Sequence, residues 1–294
     1  MERAGRRDPA MIILHDPQCA DYGSSLRPEQ PLRVTKSAEY LRAAHPEWEW
    51  RIPAIATEDA LLAVHTPALL ARLQTPPDFD DDTPYFEGIY DHARRSVGAA
   101  LAAMNLALVQ HEKAFALMRP PGHHATAGQA MGFCYLNQVA IAAVAARARG
   151  AQRVAVWDFD AHHGNGTEAI LDGREGFLFC SIHQFPAYPG TGTRNTGNCR
   201  NYPVAPHTPH ADHMAELARS WDAILGFRPD LVLVSAGFDA YARDPIAALT
   251  LEADDYATLG RWLHRADCPV AAVLEGGYSP ELPQLLEQFL QAWA

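Results

Sequence analysis

The sequence predicts an α/β protein with a central, mostly parallel sheet flanked by helices. Three observations lead there. Short β-branched runs alternate along the chain with longer helical stretches, the order that lays helices over both faces of a parallel sheet. Hydrophobic residues make up 48% of the 294 residues and charged residues 20%, the composition of a chain that buries a core. No internal repeat, low-complexity tract or linker divides the chain, so its elements read as a single domain.

Taken in order, Arg3, Arg6 and Arg7 precede an apolar run from Ala10 to Leu14 that is too short for a signal-peptide core. Residues 1–10 read as a disordered leader, with Met11 as an alternative start, and 11–294 as the functional domain. Candidate strands are Met11–His15, Ala114–Met118, Arg153–Phe159, Phe177–Ile182, Leu231–Ala236 and Pro269–Glu275. Thr66-Pro67 offers a helix N-cap followed by proline at the first helical position. Val97 to Val109 reads as a buried helix, too short to span a bilayer and interrupted by Asn105. Further helices are expected over Leu136–Arg149, where Gly150 suits a left-handed cap, over Ala211–Gly226 and Leu251–Ala266, and from Pro280 to Trp293. Two long loops remain: Gln74–Gly88, with Asp78, Asp80, Asp81 and Asp82, and Gln184–Ala211, rich in Pro, Gly and Asn. Structureless stretches of that length in a compact domain are functional or merely solvated.

Charge narrows the partners. With 24 Lys and Arg against 35 Asp and Glu the net charge is −11, which argues against direct nucleic-acid binding or an anionic membrane surface and would suit a cationic substrate. Cys19, Cys134, Cys180, Cys199 and Cys268 contain no CxxC pair and read as reduced thiols, so the expected compartment is the cytoplasm. Nothing in the chain specifies an oligomeric state.

Chemistry gathers at four expected strand ends. The first strand of this set runs into Asp158-Phe159-Asp160-Ala161-His162-His163-Gly164-Asn165-Gly166, where Asp158, Asp160 and His162 alternate to one side. Two carboxylates and an imidazole suit half a metal site, although a polar cap held by helix N-termini and water would use the same residues. A second strand ends in Gly237-Phe238-Asp239. If the two strands are neighbours, Asp160, His162 and Asp239 form a tripod with an open position, the mark of a catalytic rather than a structural zinc site. A third ends in Arg119-Pro120-Pro121-Gly122-His123-His124. Tandem histidines arise readily in a chain with 14 of them, yet imidazoles beside a metal-activated water are natural proton acceptors. A fourth ends in Glu275-Gly276-Gly277-Tyr278, where two glycines permit a sharp turn that presents a phenol to a developing oxyanion.

The runs RPPGHH (119–124), GFCYLNQVAIAA (132–143), WDFDAHHGNGT (157–167), SIHQFPAYPGTG (181–192), SAGFDA (235–240) and LEGGY (274–278) together resemble zinc-dependent histone deacetylases and their bacterial, class II-like and acetylpolyamine amidohydrolase relatives. The resemblance extends from about Arg27 to Tyr278 and implies the arginase–deacetylase fold and removal of acetyl groups from acetylated lysine peptides or acetylated polyamines. It implies Asp160, His162 and Asp239 as zinc ligands, a set that suits Fe2+ as well. It further implies His124 as general base with His123 as its electrostatic or acid partner, and Tyr278 as donor to the substrate carbonyl. Asp158 would orient His123 and Asn165 would orient His124. A structural K+ or Na+ would be held by Asp158, Ser181 and nearby carbonyls. Phe133 and Tyr188 would wall the substrate channel, with Gly132, Gly276 and Ile246 along it and Asp82 at its rim.

Four positions depart from variants of that pattern. Asn165 stands where another branch of the family carries aspartate, and a neutral amide raises the basicity of His124 less than a carboxylate would. Gly164 and Tyr241 stand where a two-metal ureohydrolase needs further carboxylates. Ile246 occupies the position at which polyamine-specific relatives often place a glutamate, leaving Asp80, Asp81, Asp82 or Glu87 to supply charge. A zinc-binding acyl-lysine reader without turnover is the reading from a different class. The intact set Asp160, His162, Asp239, His123, His124 and Tyr278 argues against it.

Overall fold

The structure, a computed structural model, describes residues 11–294, so the expected leader at 1–10 lies outside the described residues. Among the described residues the strands are β1 (Ile12–Leu14), β2 (Glu49–Arg51), β3 (Ala114–Ala116), β4 (Val154–Asp158), β5 (Phe177–Gln184), β6 (Cys199–Val204), β7 (Leu231–Ala236) and β8 (Val270–Leu274). They form one sheet in the order β2-β1-β3-β8-β7-β4-β5-β6. Every pairing is parallel, where a mostly parallel sheet was expected. β3, β4, β7 and β8 are buried along their whole length, as apolar strands covered on both faces must be.

The helices are α1 (Leu32–Ala44), α2 (Glu58–Leu62), α3 (Pro67–Arg72), α4 (Ile89–Asn105), α5 (Gln138–Ala148), α6 (Asn165–Leu171), α7 (His210–Gly226), α8 (Ala253–His264) and α9 (Leu282–Trp293). Thr66 caps α3 as its sequence predicts, its side chain accepting from the Leu69 amide with Pro67 next. Gly150 follows α5 at φ 103°, a left-handed conformation that glycine adopts without a Cβ penalty. No helix of the described residues is long and apolar enough to cross a membrane.

The differences from expectation have local causes. Gln184–Ala211 is not one loop, because β6 lies inside it. An edge strand pairs on one side only, so it tolerates an exposed Pro203 and polar residues such as Arg200 and Asn201 that disguise it. β2, Glu-Trp-Arg, is likewise a short charged edge. The expected helix Val97–Val109 is the second half of α4, which continues as a turn of π-helix over Leu106–Gln110. α1 hides because its buried face includes Arg33 and Ser37 beside Val34, Ala38 and Leu41. The loop Gln74–Gly88 carries no helix or strand, as expected.

Candidate active site

β3, β8, β7 and β4 are consecutive in the sheet and all run the same way, so their carboxyl ends open on one edge. In parallel sheets that edge gathers ligands. The four expected motif loops therefore meet. β4 and β7 are direct neighbours with Asp158 opposite Ser235, which brings Asp239 beside Asp160 and His162.

One ligand atom from each of Asp160, His162 and Asp239 lies within 4.8 Å of the others. His162 Nδ1 faces Asp239 Oδ2 at 2.9 Å and Asp160 Oδ1 at 3.3 Å. Backbone amides hold the carboxylates from behind: Gly276 N–H donates to Asp160 Oδ2 at 2.7 Å and Ala161 N–H to Asp239 Oδ1 at 2.8 Å. Gly276 must be glycine for this approach, because a Cβ there would collide with both carboxylates. Two carboxylates buried this closely need a shared cation. Burial disfavours charge on His162, but its hydrogen bonds to Asp160 and Asp239 outweigh this and raise its pKa well above the ordinary value. A dication fits the same position, with two hard carboxylate oxygens and one imidazole nitrogen as donors.

The tandem histidines are fixed in different company. His123 Nδ1 lies 3.0 Å from Asp158 Oδ2, and its Nε2 lies 3.7 Å from Asp160 Oδ1. Burial opposes charge on His123, yet Asp160 and then Asp158 prevail and push its pKa up to about 10. His124 Nδ1 lies 2.8 Å from the neutral Asn165 Oδ1. Burial, then the positive neighbours His123 and His162, lowers its pKa well below the usual imidazole value. With Asn165 Oδ1 accepting, Nδ1 carries the proton and Nε2 remains an acceptor. Two adjacent titratable groups whose pKa values are pushed apart are suited to acid and base roles.

A cavity of about 260 Å³ opens above this floor, lined by His123, His124, His162 and Tyr278 below, and by Phe133, Tyr188, Gly132, Ile246, Asp82, Arg27 and Pro28 towards the mouth. The Phe133 and Tyr278 rings are 5.8 Å apart, and Tyr188 stands edge-on to His124 at 5.1 Å. Burial raises the Tyr278 phenol well above its ordinary pKa, keeping it an O–H donor at neutral pH. Gly276 is not among the lining residues, since its amide is engaged on Asp160. Ser181 lies opposite Asp158 in the β4–β5 register, and its hydroxyl pairs with His183 Nδ1 at 2.9 Å.

Several residues shape the site by contacts that the sequence did not disclose, some of them inside the motifs and others far from them. Glu275 accepts from the Gly122 amide at 2.7 Å, the His123 amide at 3.2 Å and the Ser235 hydroxyl at 3.0 Å, tying the tandem-histidine turn to β7. Arg33 donates from Nε to Gly277 O at 2.7 Å and also binds Glu275 O, and its guanidinium lies 4.6 Å from the Tyr278 ring centre. Glu29 bridges Arg33 to Arg119, the first residue of the tandem-histidine loop. Asp244 accepts from the Tyr278 amide at 2.7 Å. Phe133 sits at φ 68°, a left-handed position unusual for a bulky residue, and its amide is held by Thr83 Oγ1 at 3.0 Å while Asp80 Oδ2 accepts from Gly132 at 3.3 Å. Part of the acidic loop therefore supports the channel wall.

Comparison with known proteins bears on the family and the fold. The family described as "Histone deacetylase domain" matches residues 27–293. A probable deacetylase of Archaeoglobus fulgidus is 34% identical over 92% of this chain and 81% of its own length. The acetylpolyamine amidohydrolase of Mycoplana ramosa is 32% identical over 83% of this chain and 77% of its own. A crystal structure of an acetylpolyamine aminohydrolase from Burkholderia pseudomallei superimposes with a TM-score of 0.84 at 27% identity, covering 97% of this chain and 98% of that one.

Proposed function

The chain belongs to the histone deacetylase domain family, and from that membership we propose that it is a zinc-dependent hydrolase releasing acetate from acetylated primary amines, with Asp160, His162 and Asp239 holding the metal. One observation carries the reading: three donor atoms converge within 4.8 Å, and His162 faces the cavity that His123, His124 and Tyr278 also line. Bound there, zinc would polarise the acyl carbonyl and acidify a water.

The chain's own residues do the rest. Phe133 and Tyr188 flank the substrate's carbon chain and exclude water from it. His124 accepts the attacking water's proton at Nε2, because Asn165 engages Nδ1 and keeps the proton there. Tyr278 donates its O–H to the carbonyl oxygen as negative charge develops. His123, oriented by Asp158, opposes that charge and supplies a proton to the departing amine. Asp158 and Ser181, side by side on β4 and β5, are the candidate holders of a K+ or Na+ ion. Five unpaired cysteines suit a cytoplasmic setting.

The names of the relatives support acetylated polyamines as substrates; acetyl-lysine peptides are the other acylated amines that this reading includes. The test is acetate release by zinc-loaded protein from an acetyl-lysine peptide and from acetylspermidine, side by side. Turnover of either, abolished in Asp239→Asn together with stoichiometric zinc binding, is the expected result. Zinc bound with release from no acylated amine would overturn it.

A further inference from the structure

The cavity mouth carries one charge of each sign. Arg27 and Asp82 both line it, whereas its other mouth residues, Pro28, Phe133, Tyr188 and Ile246, are apolar or aromatic. The two charges come from segments that are locked together. Arg27 Nη1 donates to the Asp81 carbonyl at 3.0 Å, and the Asp82 amide donates to Asp80 Oδ1 at 3.0 Å. Neither charge is spent on the protein. Among the described residues Arg27 forms no ion pair, and the Asp82 carboxylate accepts no hydrogen bond. Asp82 is exposed and Arg27 half-buried.

Resting on the hydrolase reading above, we propose that Arg27 and Asp82 read a zwitterion, and that the substrate class is a free α-amino acid acylated on its side-chain amine, such as Nε-acetyl-lysine. The guanidinium pairs with the α-carboxylate, for which its planar fork is suited, and Asp82 receives the α-ammonium. The apolar mouth residues pack on the methylenes between the charged end and the amide. Other acylated amines fit this mouth less well. The further ammonium groups of an acetylated polyamine meet Asp82 but also Arg27, with Ile246 offering no second anion. A residue in the interior of a polypeptide brings neither charge, so Asp82 and Arg27 would meet only its neutral backbone amides and carbonyls, weaker partners than an ammonium and a carboxylate. Specificity here is the difference between these cases, and it lies mainly in KM because the groups are far from the bond being cleaved.

The experiment compares four substrates with one acetylated side chain: Nε-acetyl-lysine, its α-amide, its Nα-blocked acid, and the form blocked at both ends, with acetylspermidine as a fifth. Charge-assisted hydrogen bonds of this kind are worth about tenfold each at an exposed rim, so kcat/KM should favour the free amino acid over the doubly blocked form by tenfold or more. Arg27→Gln should lose about tenfold on substrates with a free carboxylate, Arg27→Lys should retain part of it, and Asp82→Asn should lose a similar factor on those with a free ammonium. The preference should shrink as salt rises. Calorimetric binding of Nε-acetyl-lysine to the metal-free chain, weakened in Arg27→Gln, provides a readout independent of turnover. Equal kcat/KM for free and doubly blocked substrates, or a preference for acetylspermidine, overturns the zwitterion proposal and leaves the hydrolase reading standing. Turnover of none of the five overturns the hydrolase reading, and the binding measurement then still decides the role of Arg27.

Discussion

Glu29→Gln is the substitution by which the buried scaffold of the site can be judged. Glu29 accepts from Arg119 twice, at 2.5 Å from Nε and 2.7 Å from Nη2, and from Arg33 Nη1 at 3.3 Å. Burial works against its charge, but Arg119 and then Arg33 outweigh this and hold its carboxyl below the usual range. All three side chains are buried, Arg119 completely. Replacing the anion by an amide leaves two guanidinium groups in the core with one neutral acceptor between them. Removing one partner of such a pair costs about 3–5 kcal/mol, a large part of the roughly 5–15 kcal/mol that holds a domain together. Denaturant unfolding should show that loss as a lower midpoint at unchanged slope. The folded fraction should also turn over more slowly, since Arg119 begins the loop of His123 and His124, and Arg33 anchors the backbone of Glu275 and Gly277 before Tyr278. The double variant Glu29→Leu with Arg119→Met should lose less than the sum of its parts. A loss below about 1 kcal/mol in Glu29→Gln, with kcat unchanged, would show that the ionic cluster does not hold the two loops.

Three further expectations follow from the same geometry. Tyr278→Phe removes one oxyanion donor, commonly worth roughly 3 kcal/mol, and should lower kcat by about a hundredfold with little change in KM; near-full activity would remove Tyr278 from the mechanism. Gly276→Ala forces Asp160 and Asp239 apart, so zinc affinity measured by competition with a chelator should fall by about ten- to a hundredfold while the fold survives at moderate temperature. Acid should unfold the protein through neutral buried histidines: burial lowers His65 and His213 to about 4 and His183 to about 3, from 6.5. Between those values the unfolded chain binds protons that the folded chain refuses, so their contribution to stability is complete above pH 6.5 and is lost as pH falls towards 4. His65 and His213 are each worth up to about 3 kcal/mol on this count. His213→Leu should reduce the proton uptake on unfolding at pH 5 by nearly one; an unchanged slope of stability against pH would contradict the assignment.

What the sequence discloses of the fold follows from where apolar pattern and burial coincide. The six expected strands are strands, and β1, β3, β4, β7 and β8 are buried throughout. β2 and β6 escape because an edge needs burial on fewer sides and accepts Arg51, Arg200 and Pro203. α1 escapes because Arg33, which the buried ion cluster makes acceptable in the core, breaks the apolar stripe that would reveal a helix.

The site divides along a related line. Groups that the proposed chemistry would use, in short, polar, glycine-bounded motifs, were legible, because Asp160, His162, Asp239, His123, His124 and Tyr278 each interrupt or follow an apolar strand where packing alone gives no reason for them. Their supports were not legible, since the partners lie far apart in sequence and resemble ordinary residues singly. Arg33 reaches Gly277 across 244 positions and Glu29 reaches Arg119 across 90. The acidic loop shows the same limit from the other side. Its four aspartates look alike as a run, yet Asp78 accepts from the Tyr85 amide and Asp80 from Gly132 and Asp82, while the Asp82 carboxylate, at the mouth, accepts no hydrogen bond among the described residues. A charge count treats them as equivalent attractors for a cation. The hydrogen bonds separate two that shape the wall from one that can meet a ligand, and they set that one beside Arg27, whose charge no consideration of the acidic run would have brought into the same place.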